Sequence, residues 1–336
     1  MRVVPTVARA TLAGRALRAR GTPAGWLVLT ATEAVVLDRA LVRRGAVPLP
    51  PGPPPEDATV TPAGDAVVLA TDRALVCLEL DGGERWRVRG RFHACQLVGD
   101  ELWAIARVDR HHVELAAHDP TTGKVDLTLP LEDPQADASF VLCEHPRPHT
   151  VLVWVAAGQD GQHALLVLNE GVGLKALPVP PDDALPPVFT PAGDTYLAAD
   201  ADRLALRRWP SGEVLDELAW DDGADERAAC DVAAAPDDPA GSHVDVLPGG
   251  FGCWASSNGR LYLIDLGELY VVDELTIEGH PLRPVSERFP RLRDDHTPCT
   301  DFQYAVRGPD DLILSVHADV ELRVTDARAW VGAAAR

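Results

Sequence analysis

Four stretches of this 336-residue chain hold polar donors dense enough to suggest chemistry. Asp294-Asp295-His296 with Cys299 offers oxygen, nitrogen and sulfur donors within six residues. That mixture could ligate a metal, but the spacing is not that of a zinc ribbon, and such clusters in polar loops are commonly solvated. His111-His112, Glu114 and His118 form a second group. On a strand, His112, Glu114 and His118 would share a face; a solvated face of an edge strand is the expectation. Asp221–Glu226, DDGADE, suggests calcium. Setting Gly223 at the glycine of an EF-hand loop puts Leu218 and Trp220 where carboxylates are required, so the match fails. Ser242-His243-Val244-Asp245 spells a hydrolytic triad, but strand neighbours point to opposite faces and cannot relay a proton among themselves. Gly249-Gly250-Phe251-Gly252 precedes a strand, whereas a phosphate loop leads into a helix. G-x-x-x-x-G-K-[ST], H-E-x-x-H and G-x-S-x-G do not occur. No catalytic, cofactor-binding or metal-ligating residue is assigned on this reading, and no cofactor is expected.

Composition narrows the partners. The formal net charge is −20. A polyanion would be repelled, so no nucleic-acid partner is expected, nor an anionic membrane surface. No run approaches the ~18 apolar residues of a membrane span. The only lysines are Lys124 and Lys175 against abundant arginine, and asparagine occurs only at Asn169 and Asn258. A GC-rich bacterial genome explains that bias, so the arginines are not read as phosphate recognition. Cys77, Cys95, Cys143, Cys230, Cys253 and Cys299 are widely spaced, and most sit inside apolar runs as small hydrophobes. Met1–Arg20 carries five arginines and no acid but no continuous apolar stretch, and is read as a structural strand rather than a signal peptide.

The elements that must hold these residues follow a repeat. Thr61–Glu84, TPAGDAVVLATDRALVCLELDGGE, runs turn, apolar run, polar break, apolar run, turn. That is strand and turn chemistry with the period of antiparallel sheet. Thr190–Glu213 repeats it, starting 129 residues later, three times 43. A third TPAG lies at Thr22–Gly25. A repeat of this length built from short strands predicts an all-β β-propeller of seven blades of four antiparallel strands. The expected blades are 18–50, 57–90, 92–131, 138–179, 188–220, 243–279 and 299–330, in one domain spanning 1–336. The last is one strand short, and residues 3–12 are expected to complete it and close the ring. Asn258-Gly259 marks a hairpin, and Pro48–Pro55 and Pro178–Pro187 mark connectors. Trp26, Trp103, Trp154, Tyr196 and Trp254 recur early in a strand after a turn and are expected to pack between sheets.

The turn–strand–turn–strand unit ending in Gly-Glu or Gly-Lys resembles bacterial propellers of the YVTN and WD-repeat kind. The WD dipeptide occurs once, at Trp220-Asp221, and a Gly-His pair once, at Gly279-His280. The resemblance implies a fold and a role, the presentation of loops to partners; no functional residue carries over. It also implies a setting some such propellers share, beside a MoxR-type ATPase and a von Willebrand A-domain protein. The expected function is a non-catalytic protein-interaction scaffold of the bacterial cytoplasm. Its partner-facing features are the acidic Glu213–Asp238 and the basic Arg283–Arg293. The alternative is an enzyme, or a small-molecule or metal binder, using the central channel.

Overall fold

A computed structural model describes the chain except at residues 1, 5, 110–111, 132–137, 157–160, 181–185, 200–202, 220–242, 248–250, 256–259, 266–269, 278–301, 318–319 and 329–336. The strands within 243–277 and 302–307 are described by their backbone pairing. Among the described residues strand follows strand, and the helical content is confined to a short 3₁₀ turn at Pro309–Asp311 and a helical turn at 327–328.

Two short N-terminal strands, β1 (Arg2–Val4) and β2 (Thr6–Thr11), precede five four-stranded blades. Blade one is β3 (Ala16–Thr22), β4 (Gly25–Thr30), β5 (Glu33–Asp38) and β6 (Arg43–Pro48). Blade two is β7 (Asp57–Val60), β8 (Ala66–Ala70), β9 (Ala74–Glu79) and β10 (Glu84–Arg89). Blade three is β11 (Arg91–Val98), β12 (Glu101–Arg107), β13 (Val113–His118) and β14 (Val125–Leu131). Blade four is β15 (Ser139–Glu144), β16 (Thr150–Ala156), β17 (Gln162–Asn169) and β18 (Leu174–Val179). Blade five is β19 (Val188–Phe189), β20 (Thr195–Ala199), β21 (Arg203–Arg208) and β22 (Val214–Ala219). A further sheet holds β23 (His243–Leu247), β24 (Phe251–Ala255), β25 (Arg260–Asp265) and β26 (Tyr270–Ile277). The chain ends in β27 (Phe302–Arg307), β28 (Leu312–His317) and β29 (Glu321–Asp326).

The protein is an all-β propeller. Within each blade the strands form an antiparallel meander, and first strands neighbour one another around the ring: β27 beside β3, β3 beside β7, β7 beside β11, β11 beside β15, β19 beside β23 and β23 beside β27. The closing strand is the expected one: β2 pairs antiparallel with β29, from Thr6 opposite Thr325 to Thr11 opposite Glu321. Seven uniform four-stranded blades are not what forms. Six blades are of that kind, and the sheet β23–β26 carries a fifth strand, because β1 adds to β26 in parallel, with Arg2 opposite Leu275. The N-terminal segment is therefore divided between two sheets.

Burial explains the apolar runs. Period-2 alternation holds for an outer strand such as β2, where half-buried and exposed residues alternate. It fails for second and third strands: β4 buries all six of its residues and β8 all five. A radial sheet packs both faces against neighbouring sheets, so its middle strands read as continuous apolar runs. The core accordingly lies between blades. Leu27, Leu29 and Val36 of blade one meet Ala58, Val67 and Leu69 of blade two, and Val28 and Val35 meet Leu314 and Val324 of the closing blade. Trp26, Trp103, Trp154 and Tyr196 are all buried in such seams, as the sequence predicts; the side chain of Trp254 lies outside the described residues.

The two TPAGD units share one backbone geometry. In blade two the Thr61 N–H donates to the Ala66 carbonyl (3.0 Å), Gly64 N–H to Thr61 (2.9 Å) and Leu80 N–H to Asp65 (3.1 Å). In blade five Thr190 N–H donates to Thr195 (3.0 Å), Gly193 N–H to Thr190 (2.8 Å) and Trp209 N–H to Asp194 (2.8 Å). Gly64 and Gly193 hold φ of 70° and 72°, in the left-handed region that favours glycine. The third TPAG is not a copy. Thr22 ends β3 and pairs with Gly25, the first residue of β4, across a tight Pro23-Ala24 turn. Prolines also enter strands: Pro178 lies in β18, Pro130 in β14 and Pro48 in β6, all fourth strands, where a missing N–H can face outward.

Candidate functional site

Polar side chains converge where the first strands of blades one to three meet. β3 places Arg18 and Arg20 two residues apart, on one face. Asp57 opens β7 and is 3% exposed. Its Oδ1 accepts from Arg18 Nη1 (3.1 Å) and from the Ala58 N–H (2.9 Å). Its Oδ2 accepts from Arg20 Nη2 (3.2 Å) and from the Cys95 N–H on β11 (3.1 Å). Four donors on one carboxylate fill its lone-pair sites. Arg20 Nη1 also donates to the Ala58 and Cys95 carbonyls, at 3.0 and 2.8 Å, and Arg18 Nη1 to the Glu56 carbonyl. Two residues along, Thr59 Oγ1 accepts from the Leu97 N–H (3.2 Å). One carboxylate and two guanidiniums thus tie three blades together from the inside.

The same arc continues along β11. His93 stacks on Phe140 of β15 with ring centroids 5.3 Å apart. Burial, then the charges of Arg107 and Arg91, hold the imidazole below its usual pKa, favouring the neutral ring. His93 Nε2 and Gln96 Oε1 are buried without a hydrogen-bond partner. The Cys95 thiol is fully buried; desolvation, then Asp57, pushes its pKa far up, so it is no thiolate nucleophile. Cys77 is likewise raised by burial, to about 11. The arc therefore offers cohesion, one half-exposed cation at Arg18 (53%), and no activated nucleophile paired with a base.

The groups named from sequence fare differently. The His112, Glu114 and His118 set is separated. His118 is buried edge-on against Phe92, with Nδ1 3.1 Å from the Gly123 carbonyl, and desolvation lowers its pKa. His112 is exposed and pairs with Asp109 at 2.7 Å. The three do not share a strand face because His112 precedes β13; Glu114 and His118 keep alternating positions of one unbroken strand, and the register skip beside His118 belongs to Asp126 of β14. His111 lies outside the described residues. So do Asp294, Asp295, His296, Cys299, Asp221–Glu226, Ser242 and the basic stretch Arg283–Arg293. His243, Val244 and Asp245 are successive residues of β23, as the argument against a triad requires. Among the described residues no group of three or more His, Cys, Asp or Glu is placed to hold a metal ion, and no helix is long and apolar enough to cross a membrane.

Sequence reasoning missed Asp57, Arg18 and Arg20. The signal was present as an Arg-x-Arg pair on a strand and an acid opening the first strand of the next blade. It was hidden because the arginine excess reads as genome bias. Of the acidic stretch expected to face a partner, Glu213, Asp216 and Glu217 are described, at and within β22, the outer strand of blade five.

No protein-family model matches the chain, and no curated protein sequence matches it. What it shares with other propellers is the fold.

Proposed function

We propose that this propeller is a non-catalytic protein-interaction scaffold of the bacterial cytoplasm, of the YVTN and WD-repeat-like kind. The observation that carries the reading is the saturation of Asp57. This buried carboxylate accepts from four donors on three blades and has no lone pair left for a reacting group. Cys95 beside it is held as a neutral thiol. The chain carries a net charge of −20, and Glu213 and Glu217 at the outer edge of blade five are exposed. The buried free thiols Cys77 and Cys95 suit a reducing compartment. An acidic scaffold attracts basic partner surfaces, and such attraction weakens with salt. Affinity capture with the intact chain should retain partners at low salt and shed them as salt rises. Recovery of no partner at either salt would overturn the reading.

A second reading rests on His93 Nε2 and Gln96 Oε1, buried polar atoms of β11 that lack partners. They would suit a small polar ligand inside the ring. Metabolite extraction and elemental analysis of the purified protein distinguish the two. A stoichiometric ligand lost in His93→Ala favours the second; none favours the scaffold.

A further inference from the structure

Surface arginines of this chain are commonly spent on nearby carboxylates, as Arg39 is on Asp310, Arg43 on Glu33, Arg87 on Glu84 and Arg208 on Glu213. The crossover from blade two to blade three departs from that. Arg89 ends β10 and Arg91 opens β11, both exposed. Neither meets a carboxylate among the described residues. Arg91 lies directly opposite Arg107 of β12, where like charges repel. Arg107 donates through Nε to the Asp109 carbonyl (3.3 Å), while the Asp109 carboxylate is taken by His112 (2.7 Å). With 51 acids against 31 basic residues in the chain, guanidiniums that face each other are a local reversal of sign.

The crossover is pinned by its backbone. Gly90 N–H donates to the Arg73 carbonyl (3.1 Å) and Phe92 N–H to the Thr71 carbonyl (2.8 Å), both in the turn between β8 and β9. Arg73 thereby joins the cluster. Its side chain is 83% exposed, and its neighbour Asp72 stands 3.7 Å from Nε, too long for a hydrogen bond. His93, two residues along β11, feels the same field: after burial, the charges of Arg107 and Arg91 depress its pKa.

We propose that the arginine cluster of Arg73, Arg89, Arg91 and Arg107 docks an acidic segment of a partner protein. This rests on the scaffold reading and names a docking surface for it. Guanidiniums on a pinned backbone present forked donors to carboxylates. A carboxylate brought between Arg91 and Arg107 also relieves their repulsion. The acidic surface elsewhere repels such a segment, so docking is confined to this end of blades two and three.

The test uses the intact chain and a short peptide of alternating glutamate and glycine, labelled with an uncharged dye and followed by anisotropy. Saturable binding is expected at low salt, weakening as salt rises, and none for the peptide with glutamine in place of glutamate. Arg89→Gln together with Arg91→Gln should weaken binding at least about tenfold. Arg39→Gln, on the turn between β5 and β6 at the other end of the ring, should leave it unchanged. An arginine kept for structure would cost stability when removed, whereas Arg91→Gln should hold or raise the melting temperature because it relieves Arg107. No saturable binding, equal binding by the double variant, an equal loss in Arg39→Gln or a lowered melting temperature in Arg91→Gln would each overturn the proposal. So would binding of inorganic phosphate where the peptide does not bind, which would mark a small-oxyanion site instead. If the peptide fails while partners are still captured at low salt, this patch falls and the scaffold reading stands.

Discussion

The seam joining blades one to three and the seam joining blades four and five solve one problem with different chemistry. The first is tied on its inner strands by charge, with Asp57 collecting Arg18, Arg20 and a backbone N–H from β11. The second is filled by rings. Phe189 lies 4.3 Å from His145, 5.2 Å from Tyr196 and 5.8 Å from Trp209, centroid to centroid. The Tyr196 hydroxyl donates to the Pro180 carbonyl, and burial raises its pKa to about 12. The repeat thus specifies the strands and turns while leaving each seam free in its contents. A seam tied by buried charge depends on every member, since losing one strands the others. A seam filled by rings depends on volume and on the one ring able to take a proton.

The largest expected effect tests the charged seam. Asp57→Ala removes the counter-charge of Arg20 and leaves Arg20 Nη2 and the Cys95 N–H without their acceptor, which should cost about 3–5 kcal/mol. Chemical denaturation against the native chain measures it; a loss under about 1 kcal/mol would show that the tie is incidental.

The aromatic seam should respond to acid instead. His145 is buried, its Nδ1 accepts from the Arg147 N–H at 3.0 Å, and Nε2 has no partner. Burial, then the charge of Arg147, pulls its pKa from 6.5 down to about 4. The unfolded chain therefore takes this proton at higher pH than the folded one. The neutral ring's contribution is complete above pH 6.5 and is lost as pH falls toward 4, on the order of 3 kcal/mol in all. Melting of the native chain and of His145→Phe across that window separates this from other acid effects, because the variant should lack this part of the slope.

The paired turns give a finer comparison. Gly64 and Gly193 have matching backbones, but a Cβ on Gly64 meets only Ala24 at 3.5 Å and Arg44 at 3.8 Å, while one on Gly193 presses the His145 ring at 3.2 Å. Gly64→Ala should cost the left-handed penalty of roughly 1 kcal/mol, and Gly193→Ala closer to about 2 kcal/mol. Equal losses would mean that the ring yields freely. The smallest effect belongs to Asp65, whose pKa is lowered by its hydrogen bonds from Arg85 and then Thr61. The Arg85–Asp65 pair is near the surface, so Asp65→Ala should cost under about 1 kcal/mol and lose salt dependence.

Much of this architecture is legible in the sequence, for reasons that differ by element. The TPAGD turns are readable because a left-handed glycine after a fixed offset leaves a local signature. The missing strand of the last blade is readable because Phe302–Asp326 holds three strands where others hold four. β1 is not readable: three residues adding in parallel to a strand some 270 positions away leave no local pattern. Pro178 misleads in the same way, since a proline reads as a connector until the strand is known to lie on an edge. The candidate site was harder still. Asp57, Arg18 and Cys95 come from three blades, and their convergence exists only once the ring has closed. His112 and His118 show the converse, a local spacing undone because His112 falls before the strand that holds His118.

The central claim is that the ring's inner polar arc is spent on holding blades together. A double-mutant cycle on Asp57 and Arg20, followed by equilibrium unfolding, tests it most directly. Asp57→Leu and Arg20→Leu should each destabilise strongly, and the double variant should lose less than the sum by on the order of 2 kcal/mol, because neither charge is then stranded. Additive losses, or single variants as stable as the native chain, would contradict the account.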